Sequence, residues 1–194
     1  MLKAQACYVA SMLVFGLTAA GFDLARRRIP NNTVLLGLTV AFAWHALAPA
    51  GAWAFDRQSP GAVGLWWSMA SGFAMLLVFF PLWLLKVLGA GDVKLLAVVG
   101  AAFGASPEHW SHLPGVLLYI AMAGGFLVLG VLTISGRFGL LFRNLNLIAV
   151  SLLTRQQGVQ GPVFDAKQDT VARLPYGAAI VAGSIAFVLS ERFF

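Results

Sequence analysis

Cysteine is nearly absent from this chain, and so is charge. One cysteine, Cys7, stands in 194 residues, so an intrachain disulfide is excluded, and with no CxxC pair there is no cysteine zinc site. Cys7 sits inside an apolar run and reads as a small buried hydrophobe. Charged residues make up only 10% of the chain, where a soluble domain carries roughly a quarter. Acids are the scarcer sign, 7 against 13 Lys and Arg, and the net charge is +6. That excess would suit nucleic acid if it formed a basic patch on a folded surface. Here the basic residues punctuate apolar segments, which is the pattern of membrane-protein loops, and nucleic acid is not an expected partner.

What is present is apolar. Hydrophobic residues make up 60% and the mean hydropathy is +0.85. The expected fold is an all-α polytopic membrane protein, with residues 1–194 as a single membrane-embedded domain. A span needs about 20 apolar residues to cross roughly 30 Å of hydrocarbon. Candidates lie at 4–22, 33–50, 62–85, 93–106, 113–135 and 174–193, about six transmembrane helices. The fourth would rise only about 21 Å as a helix, so it ends below the far surface or continues through "SPEHW".

The first segment has a secretory signal's opening, with Lys3 before an apolar run. It is long for a signal, and Arg26, Arg27 and Arg28 follow at once, so a retained span is expected. Counting Lys and Arg by loop sets the orientation. With the loop after span one in the cytoplasm, that side holds ten of the thirteen. Only Lys3, Arg57 and Arg192 fall on the other side. Both termini are therefore expected outside. Residues 136–173 then lie in the cytoplasm, with an amphipathic interfacial segment near 136–155 and a polar loop after it.

The acids narrow the chemistry. Asp56, Glu108 and Glu191 fall in or beside outer loops or ends, and Asp165 and Asp169 lie in the polar cytoplasmic loop. Asp23 and Asp92 remain, both at the cytoplasmic boundary of a span. Two close carboxylates cannot both ionise, so one keeps a proton while the other takes one from a water that attacks a peptide carbonyl. Two other readings stay open. Asp23 could pair with Arg26 or Arg27, and Asp92 with Lys94 or as a cap of the fourth helix. A small transporter could instead use Asp92 and Lys94 as a proton or ion relay.

The motifs around these acids resemble a known family. "GAGDVK" at 89–94 matches the GxGD element of polytopic aspartic proteases, in the form found in prepilin peptidases. Asp23, followed by "IPN" at 29–31, is similar to that family's first motif, and "LPYG" at 174–177 resembles its late P-[FY]-G element. The resemblance implies a membrane aspartic endopeptidase of the bacterial inner membrane, with its active site facing the cytoplasm. Its substrate would be a prepilin or pseudopilin carrying a short basic leader, and its surroundings the lipid bilayer and other pilus-assembly proteins. By motif, Asp23 and Asp92 become the catalytic pair, with no cofactor and no metal. Gly89, Gly91, Lys94, Pro30, Asn31, Pro175 and Gly177 become supporting residues. No cysteine-bearing insertion lies between spans one and two, so the chain looks most like small peptidase-only members serving Flp pili. A non-catalytic pilus-assembly subunit is a further alternative.

His45, His109 and His112 are not brought together by the sequence, and metal binding is not expected of them. Trp44, Trp53, Trp66, Trp67 and Trp110 are expected to form an outer aromatic belt.

Overall fold

The computed structural model describes residues 2–51, 55, 61–85, 88–107, 112–136, 139, 146 and 175–193. Six helices are found among them: α1 Leu2–Arg26, α2 Asn31–Leu47, α3 Leu65–Leu84, α4 Ala90–Phe103, α5 His112–Ser135 and α6 Tyr176–Phe193. No strand occurs among the described residues; an isolated bridge joins Ala50 to Ala62. The chain divides into two compact units. One comprises Met1–Gly124 with Pro175–Phe194, the other Gly125–Leu174. In the second unit the described residues are the end of α5, then Gly136 at φ 64°, 139 and 146. The amphipathic segment expected near 136–155 otherwise lies outside the described residues, as do Trp53, Asp56, Glu108, His109, Trp110, Asp165 and Asp169.

The protein is a helical membrane protein. Three helices, Lys3–Arg26, Leu65–Leu84 and His112–Ser135, are long and apolar enough to cross a membrane. Their large side chains face outward freely: Val14, Leu17, Phe73, Val78 and Phe126 are all exposed. In water such faces would drive association, whereas in lipid they are the solvated surface. Cys7 is among the exposed residues, not buried as its apolar setting suggested. An apolar neighbourhood in a lipid-facing helix carries no information about depth.

The core of the first unit forms around α4. Eleven of its 14 residues are buried, and it packs against α2, α3 and α6, while α1 packs against α2 and α6. A helix apolar on every side belongs inside a bundle, and "VKLLAVVGAAF" has that composition. Small residues bring its neighbours close, as in membrane helix pairs generally. A Cβ at Gly100 would stand 2.6 Å from Met75 Cγ and 2.7 Å from the Ser71 carbonyl on α3. A Cβ at Gly37 on α2 would meet Phe15 at 2.6 Å and Val98 at 2.8 Å.

Because α4 is short, its last carbonyls end inside the protein, where each needs a donor. Ser68 Oγ donates to the Ala101 carbonyl at 2.7 Å. Tyr8 donates its hydroxyl to the Ala102 carbonyl at 2.9 Å, and His45 Nε2 reaches the same oxygen at 3.1 Å. A carbonyl only accepts, so Nε2 carries the hydrogen, and Nδ1 accepts the Val63 amide at 3.3 Å. His45 is thus a structural clasp at the end of α4. Trp44 stacks on Tyr8 with ring centroids 4.7 Å apart and joins this inner cluster. Trp66 and Trp67, at the start of α3, are exposed as a belt requires.

Candidate active site

Asp23 is in the last turns of α1. That helix runs to Arg26, four residues past the expected span, so Asp23 is a helical residue and not part of the exit loop. The helix closes at Arg27, a non-glycine residue at φ 51°, whose amide donates to the Asp23 carbonyl at 2.8 Å. Ile29 is buried, and Pro30 then caps α2 in an extended conformation. Its carbonyl accepts the Thr33 and Val34 amides at 3.1 and 3.3 Å, and its missing N–H is one that no helix start uses. "RRRIPN" therefore forms a tight reversal that returns the chain beside the end of α1.

Asp92 stands in the first turn of α4, before the apolar run that starts at Val93. Its Oδ2 accepts the amide of Gly89, the residue that caps the helix, at 3.2 Å. This is the acidic half of a capping box, with glycine in place of a hydroxyl residue. A Cβ at Gly89 would lie 2.9 Å from that same oxygen, so the glycine lets the loop close on the carboxylate. The capping role anticipated for Asp92 is therefore real, but it does not explain its environment. Capping acids usually face water, whereas Asp92 is only 8% exposed and Asp23 only 7%.

Asp92 responds to this burial and to the second acid. Burial pushes the Asp92 carboxyl up to about 6, and the charge of Asp23 adds to the rise against the pull of the Gly89 amide. A carboxyl poised there holds a proton through much of the range below neutrality, the condition that a water-activating pair requires.

The supporting residues divide by what they touch. Lys94 does not pair with Asp92: its Nζ donates to Asn31 Oδ1 at 2.9 Å, so one motif holds the other. Gly91 lies against Ile29, where a Cβ would make ordinary contact at 3.5 Å. Arg26 places its guanidinium over the Phe22 ring, 5.8 Å from the centroid. Pro175 leads into α6, and its carbonyl accepts the Ala178 amide at 3.2 Å. Gly177, in the first turn of α6, donates its amide to Asp23 Oδ2 at 2.8 Å. Residue chemistry alone could not reveal this last contact, because the donor is backbone; the glycine of "LPYG" was its only mark. No group of three or more metal-binding side chains occurs among the described residues.

Fold and site together define a helical membrane protein with two buried carboxyls, Asp23 near the end of α1 and Asp92 at the start of α4. The type IV leader peptidase family model matches residues 10–129, a stretch that includes both acids, and the chain belongs to that family. Neither the curated proteins nor the solved structures gave a match. Membership makes the protein a peptidase, with prepilin-type leaders as its substrates.

Proposed function

We propose that this peptidase is of the aspartic type, with Asp23 and Asp92 as its catalytic pair, and that it removes the basic leader from Flp-like prepilins. The observation that carries the reading is that Asp23 and Asp92, drawn from distant motifs, are both buried carboxyls, with the segments bearing them tied together by the Lys94–Asn31 hydrogen bond. One carboxyl, ionised, takes a proton from a water. The water oxygen attacks the scissile carbonyl carbon, and the protonated carboxyl donates to the oxygen that gains charge. Collapse of that intermediate passes a proton to the leaving amine. The substrate must unwind near the cut, because a helical carbonyl is already hydrogen-bonded along its own helix.

The pair lies at the cytoplasmic face of the inner membrane in this account, with six helices as spans and both termini outside. The bias of ten basic residues to one side supports that orientation. Residues 1–194 serve one peptidase domain in this account, and pilus-assembly proteins are its neighbours. Co-expression with an Flp-like prepilin, followed by mass spectrometry of the pilin, tests the activity. The expected product lacks the basic leader and begins at the apolar segment. An intact precursor would contradict the reading.

A further inference from the structure

We infer that the first turn of α6 is a working part of the site, and that the Gly177 amide is a positioning group for Asp23. The inference rests on the reading of Asp23 as catalytic. Gly177 and Asp23 are 154 positions apart, and the amide meets Oδ2 at 2.8 Å in a buried setting. The first four amides of a helix have no partner within it. Gly177 is in the first turn of α6, so its N–H is free for the carboxylate at no loss to the helix. The side chain is excluded as tightly as the amide is engaged. A Cβ at Gly177 would lie 2.8 Å from Asp23 Oδ2, 3.0 Å from Cγ and 3.1 Å from Cβ.

Two consequences follow for Asp23. One oxygen accepts the amide, and the other keeps both lone pairs for the water or the partner acid. The rotation of the carboxyl is also fixed, since turning it would give up a charge-assisted hydrogen bond. The last helix, outside the stretch matched by the family model, is thereby joined to the chemistry through a single backbone hydrogen.

The roles of amide and space are separable. Replacing Gly177 by glycolic acid puts an ester oxygen where the N–H was and adds no atom against Asp23. Gly177→Ala keeps the N–H and adds a methyl that collides with it. Full-length enzyme in nanodiscs would be assayed on a purified Flp-like prepilin, with kcat, KM and thermal unfolding measured. The ester should lower kcat about tenfold or more, with KM near that of wild type and the unfolding temperature lowered by no more than the loss of one buried hydrogen bond accounts for. Gly177→Ala should lower kcat as well, by displacing the carboxyl. Wild-type kcat in the ester form would overturn the inference and reduce Gly177 to a provider of space. Asp23→Asn belongs in the same assay. If that variant still cuts, the catalytic reading itself has failed; if it is inactive while the ester form is normal, only this inference has.

Discussion

Lys94 of α4 donates to Asn31 of α2 across 2.9 Å and 63 positions of sequence. This bond joins the two motifs that carry the acids, with Ile29 lying on Gly91 just beside it. Asn31 follows the reversal that leaves Asp23, and Lys94 is two residues past Asp92, so the bond holds together the segments bearing both carboxyls. Asn31→Ala should lower cleavage several-fold while reducing stability by only about 0.5–1.5 kcal/mol, the worth of one such hydrogen bond. Lys94→Met should do the same, and the double variant should be little worse than either single one. Additive losses in kcat would indicate that the two side chains act separately.

Asp92 should be a source of instability at neutral pH. Its folded pKa, about 6, lies above the ordinary 3.8, so between those values the folded protein binds more protons than the unfolded one. Stability then falls as pH rises through that window, and above it the ionised carboxyl is a standing cost. Asp92→Asn removes the charge and can still accept the Gly89 amide. Its unfolding temperature should exceed that of wild type by a few degrees at pH 7.5, and the gain should vanish below pH 4. An equal difference at both pH values would refute the linkage.

The same poise governs rate. The pair needs one proton, so kcat/KM should pass through a maximum, falling on the alkaline side with an inflection near 6. The inflection belongs to the pair and not to one residue. A profile flat from pH 5 to 8 would count against a shared-proton mechanism.

Much of the fold was legible in advance because apolar runs have no other use at this composition. All six expected segments contain a helix, and the fourth is 14 residues long, as its short run required. Its central position was less visible: length says that a helix stops early, not what receives its carbonyls. Tyr8, Ser68 and His45 do so from three other helices, and nothing in their local sequences marks that duty. The acids were legible because they are so few. Their contacts were not, since Lys94 chose Asn31 over the nearer Asp92, and Asp23 chose a backbone amide over an arginine's place one turn on. Spacing reveals which residues could meet along a helix; tertiary packing decides which do.

The α3–α4 seam gives a test of the fold apart from the chemistry. Gly100→Ala puts a methyl within 2.6–2.7 Å of Met75 and the Ser71 carbonyl. Overpacking of this kind costs about 1–3 kcal/mol. Thermal unfolding in detergent should fall accordingly. An unchanged unfolding temperature would mean that the two helices stand further apart than described.

The central claim is that Asp23 and Asp92 share one catalytic task. The most direct measurement is cleavage of an Flp-like prepilin by purified Asp23→Asn and Asp92→Asn enzymes, each checked for folding. The account predicts that both are folded and that each loses essentially all activity, since neither carboxyl can replace its partner. Wild-type-like processing by either one would contradict it.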